Sequence, residues 1–330
     1  MGTPQFAATV LERVLESDTV DVAAVYTQPD RPCGRGKKCQ PGPVKRLALE
    51  RGLPIHQPVS FKDPAEVAAL AAYAPDVLLV AAYGMILPQA VLDIPKRLPL
   101  NVHASLLPAW RGAAPIERAI AAGDTLTGVT IMRMEAALDT GPMVLQRALR
   151  IGDADTAGSL RAELADLGGR LLVDVLDKLA KGAVPQIPQD HARATYAKKI
   201  DKAEAFIDWT RPAAEVHNLI RTMTPHPGPF FFWRPAPDKP ALRIIAHPGR
   251  VGCAVAPGTP PGRILGLTDG QLAVACADAA YLIPEVTPAG KRTMEATAFS
   301  CGYLGRCHDE DLAVCAPDPA PSNGPPGTPS

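Results

Sequence analysis

The sequence lacks several features that would place it in a common class at once. No stretch approaches the roughly 18 uncharged apolar residues that a membrane-spanning helix needs, and the N-terminus lacks the basic and apolar regions of a signal peptide. The 34 basic and 34 acidic residues balance each other, so no net charge attracts nucleic acid or an anionic membrane. Any binding site for an anionic partner must therefore come from a local cluster of basic residues in the sequence.

Cysteine pairs of the Cys-x-x-Cys type are also lacking. Seven cysteines are scattered over 330 residues, which favours reduced thiols in a cytoplasmic protein over a disulfide scaffold. Cys301, Cys307, His308 and Cys315 are close in sequence, but their spacing fits no common zinc site. We therefore expect a cytoplasmic protein without a bound metal.

The stretch from Asn101 to Pro115 is the strongest candidate for chemistry. The apolar run Leu98 to Val102 predicts a buried strand, and because alternate residues face one side, Asn101 and His103 project together where it ends. A loop and a predicted helix follow, and open α/β sheets place their chemistry at such strand ends. An amide beside an imidazole suits oxyanion stabilisation and proton transfer, although a satisfied polar cap is the alternative.

Strands and helices alternate through the first 184 residues and predict a Rossmann-like, doubly wound, mostly parallel sheet. The longest predicted helix begins after an N-cap at Thr156 and ends at Gly182. Before the first predicted strand, Val20 to Tyr26, there is only a Gly/Pro turn and a helix. A doubly wound fold usually opens with a strand, so we expect either a missing strand or a translation start further upstream.

The second half of the chain has a different pattern. Residues 185–204 are irregular and predict a linker, and residues 205–315 contain short apolar runs separated by turns, which predict a small β-barrel. The runs lie at 230–233, 242–246, 263–267, 271–275 and 281–286. Residues 316–330 are rich in Pro, Gly and Ser and predict a disordered tail.

A basic segment, residues 27–45, interrupts the first half. Its four prolines and three glycines exclude regular structure in our prediction. It carries Arg31, Arg35, Lys37 and Lys38, with Asp30 as its only acid. The segment is either a solvated surface loop or a mobile contact for a phosphate backbone.

Asp139 lies in a Gly/Pro turn between two predicted strands. A turn aspartate commonly bonds to its own backbone. The alternative is a carboxylate that pairs with His103 and moves protons.

Five motifs together resemble the methionyl-tRNA formyltransferase family of folate-dependent enzymes, over nearly the whole chain. They are Gly2 to Ala7 (Gly-Thr-Pro-x-Phe-Ala), Thr27 to Lys38 (Thr-Gln-Pro-Asp-Arg-Pro-x-Gly-Arg-Gly-Lys-Lys), Asn101 to Pro115 (Asn-Val-His-Ala-Ser-Leu-Leu-Pro-x-Trp-Arg-Gly-Ala-Ala-Pro), Leu138 to Met143 (Leu-Asp-Thr-Gly-Pro-Met) and Ile207 to Pro212 (Ile-Asp-Trp-x-Arg-Pro). The third motif and Asp139 are shared by the wider formyl-transferring group and specify chemistry. The basic segment and the second domain point to the tRNA acceptor.

The resemblance implies a catalytic set of Asn101, His103 and Asp139. The formyl donor would be 10-formyltetrahydrofolate and the acceptor the α-amine of methionyl initiator tRNA. Direct attack of the amine would give a tetrahedral intermediate whose oxyanion is stabilised by Asn101 and protonated His103. Asp139 would orient His103 and serve as the proton shuttle.

The resemblance also implies the remaining binding residues and the domain roles. Folate would contact Ser105, Leu106, Leu107, Pro108, Tyr83 and Leu87. The tRNA would contact Arg31, Arg35, Lys37 and Lys38. Residues 1–184 would form the catalytic domain and residues 205–315 an OB-like tRNA-binding domain, in a monomer that needs no metal.

One departure from the family pattern concerns Ala137, which stands where the family usually has glycine. If that position requires a positive φ, alanine would cost roughly 1 kcal/mol and shift Asp139. Three rival functions also stay open: a formyltransferase acting on an amino-sugar nucleotide, a hydrolase that releases formate, and a non-catalytic RNA-binding protein. A Rossmann dehydrogenase is disfavoured because no Gly-x-Gly-x-x-Gly follows a strand.

Overall fold

The computed structural model describes residues 1–33, 38–235, 238–306 and 313–315. The chain divides into two compact units, Met1–Ile200 and Asp201–Ser330. No helix among the described residues is long and apolar enough to cross a membrane.

The first unit contains six helices and ten strands among its described residues. The helices are α1 Gln5–Leu15, α2 Pro43–Glu50, α3 Pro64–Ala71, α4 Gln89–Leu92, α5 Pro115–Ala121 and α6 Ala157–Lys181. The strands are β1 Val25–Tyr26, β2 Pro32–Cys33, β3 Lys38–Cys39, β4 Ile55–His56, β5 Val77–Val80, β6 Leu98–His103, β7 Arg111–Gly112, β8 Leu126–Arg133, β9 Met143–Arg150 and β10 Tyr196–Ala197.

β6 is the centre of the main sheet of this unit, which runs in the order β5-β6-β8-β9. β5 and β6 are parallel, whereas β8 and β9 continue the sheet in antiparallel fashion. The predicted Rossmann-like α/β architecture is confirmed, with a mixed sheet at this end. Leu100 and Val102 bury their side chains beneath α6. This helix begins at the predicted N-cap, because the Thr156 hydroxyl accepts a hydrogen bond from the Ser159 N–H at 3.1 Å.

The sheet is interrupted between β5 and β1. β1 pairs in parallel with β4 on one side, and on the other side Met1 and Gly2 are the described residues whose backbone hydrogen bonds connect it to the main sheet. The Met1 carbonyl accepts from the Ala81 N–H at 3.0 Å, and the Gly2 N–H donates to the Tyr26 carbonyl at 3.0 Å. Beyond these residues a cavity of about 720 Å³ separates residues 22–25 from residues 77–80.

This interruption corrects the predicted strand from Val20 to Tyr26. In the described structure only Val25–Tyr26 is a strand. The residues before Val25 line the cavity and have no neighbouring strand to accept their backbone hydrogen bonds. The apolar sequence therefore forms a strand here only at Val25–Tyr26, where β4 pairs with it.

The second unit is built mainly from antiparallel strands. Its helices are α7 Ala213–Thr222 and α8 Ala296–Tyr303, and its strands are β11 Phe230–Trp233, β12 Leu242–Ala246, β13 Arg250–Ala254, β14 Ile264–Thr268, β15 Gln271–Ala275, β16 Ala279–Ile283, β17 Glu285–Pro288, β18 Met294–Glu295 and β19 Val314–Cys315. They form a five-stranded sheet, β18-β17-β12-β11-β19, and a four-stranded sheet, β13-β16-β15-β14. Trp233, Tyr281 and Phe299 fill the core. The arrangement agrees with the predicted small barrel.

Two groups of sequence predictions from the second half of the chain lie outside the described residues. They are the tail at 316–330 and two members of the cysteine–histidine set, Cys307 and His308. Among the residues that are described, no group of three or more His, Cys, Asp or Glu side chains could hold a metal ion.

Candidate active site

The end of β6 presents Asn101 and His103 on one face, as the alternation of the strand predicts. Asn101 lies between Val80 of β5 and Met132 of β8, and His103 lies opposite Thr130. The imidazole is 5% exposed. The Asn101 amide is partly exposed and makes no hydrogen bond to the described residues. This amide is therefore free to donate to a bound ligand.

The tautomer of His103 follows from its contacts. Its Nε2 lies 2.9 Å from the Trp110 carbonyl oxygen, which can only accept, so Nε2 carries a proton. The other nitrogen, Nδ1, lies 3.8 Å from Asp139 Oδ2. This separation is too long for a direct hydrogen bond. Nδ1 is thus the atom at which His103 can gain or lose a proton, and it faces a carboxylate.

The Asp139 carboxylate is held by the backbone of β7. Its Oδ2 accepts from the Gly112 N–H at 2.8 Å. Gly112 has φ +119°, and a Cβ there would lie 2.8 Å from the Ala197 carbonyl oxygen, so only glycine fits between β7 and β10. The structure therefore brings His103 and Asp139 together and orients the carboxylate through a position that excludes a side chain.

Backbone strain lies at Asp139 and not at Ala137. Asp139 has φ +51°, whereas Ala137 is not among the residues with positive φ. The strain considered for alanine at position 137 is therefore absent. Aspartate tolerates the left-handed region better than most residues, which is consistent with its place in this turn.

The loop expected to contact folate is held by two polar side chains from β8 and β9. The Thr130 hydroxyl donates to the Ser105 carbonyl at 2.7 Å and accepts from the Leu107 N–H at 3.1 Å. The Gln146 amide donates to the Leu107 carbonyl at 2.8 Å. The side chains of Ser105 and Leu107 are buried, and those of Leu106 and Pro108 are partly exposed. Any ligand here would therefore touch the latter pair.

In the second part of the expected folate site, Tyr83 to Leu87, the first and last side chains are buried and Ile86 is exposed. Tyr83 is 2% exposed and Leu87 is 5% exposed, whereas Ile86 between them is 90% exposed. Burial raises the pKa of Tyr83 to about 12, and its hydroxyl has no hydrogen-bond partner in the described part of the chain. The surface that this segment offers to a ligand is therefore Ile86, the partly exposed Met85 and the backbone.

The basic segment has more structure at its base than the sequence predicts. β2 and β3 pair there as a short antiparallel ladder, so the expectation of no regular structure is wrong for these residues. Arg31 donates to the Gln28 side chain at 3.1 Å, and Gln28 donates to the Tyr83 carbonyl at 2.9 Å. Arg35, Lys37 and the side chain of Lys38 lie outside the described residues.

Sequence reasoning missed the contribution of the segment expected to be a linker. Ile187 exchanges two backbone hydrogen bonds of 2.8 Å with Met143, β10 pairs with β7, and Gln189 contacts the Asp139 turn. These contacts come from single residues in irregular chain, which carries no periodic signal. Arg111 stands inside the quoted motif, but nothing in the sequence shows that it is buried against Gln189.

Each of the two units matches a known protein family model. Residues 1–176 match the family model described as formyl transferase, and residues 199–304 match the formyl transferase C-terminal domain. The chain is 52% identical over 317 residues to the methionyl-tRNA formyltransferase of Nitratidesulfovibrio vulgaris strain Hildenborough, covering 96% of each chain. It is 48% identical to the methionyl-tRNA formyltransferase of Aromatoleum aromaticum, covering 92% of each.

Solved structures share the fold at lower identity. An N-formyltransferase from Helicobacter canadensis in complex with folinic acid and dTDP-3-aminofucose aligns with a TM-score of 0.59 at 17% identity, over 86% of this chain and 96% of that one. HypX from Aquifex aeolicus in complex with tetrahydrofolic acid aligns with a TM-score of 0.56 at 17% identity, over 78% of this chain. The chain spans only 44% of the length of HypX. At these identities the likeness concerns the fold alone.

Proposed function

The chain belongs to the formyl transferase family, and we propose that it transfers a formyl group from 10-formyltetrahydrofolate to the α-amine of methionyl initiator tRNA. The observation that carries this proposal is the unpartnered Asn101 amide beside the His103–Asp139 pair. The named relatives support the acceptor, since the match to them covers both units of the chain.

Asn101 is suited to stabilise the charge that develops during transfer. When the amine attacks the formyl carbon, the formyl oxygen becomes an oxyanion. A fixed amide donor in a partly buried site is worth roughly 3 kcal/mol to such a transition state. Because the Asn101 amide has no other partner among the described residues, no existing bond must break before it donates.

His103 and Asp139 are suited to handle the proton that the amine loses. The Trp110 carbonyl keeps Nε2 protonated, so proton gain and loss occur at Nδ1. A gap of 3.8 Å between Nδ1 and Asp139 Oδ2 lets the carboxylate stabilise a protonated imidazole without a fixed bond to it. In this proposal protonated Nδ1 joins Asn101 as a donor, and Asp139 draws the amine proton away. Collapse of the tetrahedral intermediate would then break the bond between the formyl carbon and N10 of the folate, and N10 would take up a proton as tetrahydrofolate leaves.

The residues present fit a folate. The exposed Ile86 and the partly exposed Leu106 and Pro108 offer apolar surface to a flat ring system, while Asn101 offers a free polar group. When bound, the folate supplies the activated formyl carbon. In this proposal the buried residues hold the two loops that contact the folate in their conformation. They are Ser105, Leu107, Tyr83 and Leu87.

The basic segment and the second unit would bind the tRNA. The basic segment carries Arg31, Arg35, Lys37 and Lys38, and Gln28 at its base donates to the Tyr83 carbonyl. Arginine and lysine on such a segment suit contact with a phosphate backbone. Residues 205–315 would hold the remaining backbone as an OB-like domain. We further propose that the protein works as a monomer in the cytoplasm.

The decisive experiment measures formyl transfer from 10-formyltetrahydrofolate to methionyl initiator tRNA by the parent chain, His103→Ala and Asp139→Ala. We expect activity in the parent and a large loss in both variants. Formate released without tRNA would identify a hydrolase, and transfer to an amino-sugar nucleotide would identify the other acceptor class. Binding of tRNA without turnover of either substrate would support a non-catalytic protein.

The tRNA contact is tested separately with Arg31→Ala and Lys38→Ala. Each is expected to raise KM for the tRNA and to lower the salt dependence of binding, with kcat for saturating tRNA unchanged. Lys62→Ala is the matched control, since Lys62 is exposed outside the basic segment. An equal effect of all three substitutions would argue against a specific contact.

A further inference from the structure

Gln189 is a buried polar residue whose amide is fully used at the candidate active site. Its side chain is 5% exposed. The amide nitrogen donates to the Asp139 carbonyl at 2.8 Å and to the Gly141 carbonyl at 2.7 Å. The amide oxygen accepts from Arg111 Nε at 3.1 Å and from Arg111 Nη2 at 2.7 Å. We call this set of four hydrogen bonds the Gln189 clamp.

The clamp requires an amide. Two carbonyl oxygens need two N–H donors, and the guanidinium of Arg111 needs an acceptor, so the group at position 189 must do both. A carboxylate would still accept from Arg111 but would have no donor for the two carbonyls. An apolar side chain would remove the Gln189 partner of both carbonyls and of Arg111 Nε in this buried site, which is costly, while Arg111 Nη2 would keep its contact with His191 Nδ1 at 3.1 Å.

The clamp holds the chain on both sides of the Asp139 carboxylate. It fixes the left-handed turn at Asp139 through the carbonyls of residues 139 and 141. Through Arg111 it also reaches the residue before Gly112, whose N–H donates to Asp139 Oδ2. One side chain therefore fixes both the turn that carries the carboxylate and the strand that orients it.

We propose that Gln189 is a positioning residue that sets the placement of Asp139 against His103 during formyl transfer. The inference rests on the proposed function for its kinetic consequence. The hydrogen bonds of Gln189 go to Arg111, Asp139 and Gly141 and not to Asn101 or His103, so we expect its loss to change the rate of the chemical step rather than the binding of either substrate. A misplacement of about 1 Å at a reacting group can lower a rate up to about 100-fold.

The kinetic test compares Gln189→Ala and Gln189→Glu with Gln186→Ala. Gln186 lies in the same segment and contacts Arg133 at 3.4 Å near the surface, so it controls for disturbance of the segment. We expect kcat to fall by about 10- to 100-fold in both Gln189 variants, with KM for tRNA and folate within about twofold of the parent. The pH dependence of kcat should also change, because the Asp139–His103 separation is altered.

A second measurement does not depend on activity. Amide hydrogen exchange is followed at Gly112, whose N–H bonds to Asp139, and at Ala113, whose N–H bonds to the Ala197 carbonyl at 2.9 Å. Gln189→Ala should accelerate exchange at Gly112 and leave Ala113 protected. If exchange at Gly112 is unchanged, or if kcat stays within twofold of an active parent, the positioning role is wrong. If the parent is inactive while exchange at Gly112 accelerates, the proposed function fails and the clamp stands.

Discussion

The two sides of the sheet in the first unit differ in how completely they are paired. β6 is hydrogen-bonded on both edges, to β5 and to β8. β1 is paired with β4 on one edge, whereas on the other it accepts one hydrogen bond, from Gly2 to the Tyr26 carbonyl, and borders a cavity of about 720 Å³. The candidate catalytic pair, Asn101 and His103, lies on the fully paired strand. The candidate site therefore lies where the backbone is held from both sides, which suits the precise placement that a catalytic group needs.

Among the substitutions that compare the two sides of the sheet, we expect the largest change in activity from Asn101, which lies on the fully paired strand β6. If Asn101 has the proposed role, Asn101→Ala should lower kcat for formyl transfer about 100- to 1,000-fold, because it removes the proposed donor to the developing oxyanion. The melting temperature should stay close to that of the parent, since the amide has no partner among the described residues. A large fall in melting temperature would show that Asn101 is a structural cap.

A matched pair of substitutions measures the difference between the two sides directly. Val102 in β6 is 4% exposed and Val25 in β1 is 3% exposed. Val102→Ala should lower the free energy of unfolding by about 2 kcal/mol, as a new cavity opens in close packing. Val25→Ala should cost about half of that, because Val25 already borders a cavity. Urea unfolding of both variants gives the comparison, and equal losses would contradict it.

The tight packing behind β6 predicts a smaller effect at Gly168 of α6. A Cβ at this position would lie 2.7 Å from Val102 Cγ1. Alanine favours a helix over glycine by about 1 kcal/mol, but overpacking costs about 1–3 kcal/mol, so Gly168→Ala should destabilise the unit by about 1 kcal/mol.

The Val102→Ala background provides the control for Gly168→Ala, because it removes the clashing methyl group. In that background Gly168→Ala should become neutral or stabilising. A loss of the same size in both backgrounds would show that Val102 is not the obstacle.

The smallest effect needs no substitution. Amides of β1, such as Val25, which donates to the Pro54 carbonyl at 2.8 Å, should exchange with solvent faster than amides of β6 and β8, because a strand paired on one edge opens locally at lower cost. Amide hydrogen exchange resolved by residue checks this. Equal protection of β1 and β6 would mean that the cavity does not weaken the sheet.

Local patterns in the sequence predicted much of the fold. The run ending at His103 combines an apolar strand with alternation, and the ends of α6 are marked by Thr156 and Gly182, whose effects act within one turn of the helix. Such signals need only near neighbours along the chain. The same reasoning correctly placed Asn101 and His103 together on one strand face.

The features that the sequence did not predict depend on distant partners. The strand expected from Val20 is short because no strand in the described part of the chain pairs with its first residues. β13, Arg250–Ala254, was missed because its side chains are mostly exposed and show no apolar alternation. Gln189 was missed because its role comes from four bonds to groups far away in sequence.

The Gln189 clamp has a consequence for the order in which the protein is made. Asn101, His103 and Asp139 are synthesised before α6, but Gln189 follows Asp139 by 50 residues, and β10 is later still. On the ribosome the Asp139 turn therefore emerges well before the side chain that fixes it. A nascent chain or proteolytic fragment that stops at residue 176, where the match to the first family model ends, carries all three polar side chains without their clamp. The proposed catalytic centre is complete only when synthesis has passed Ala197.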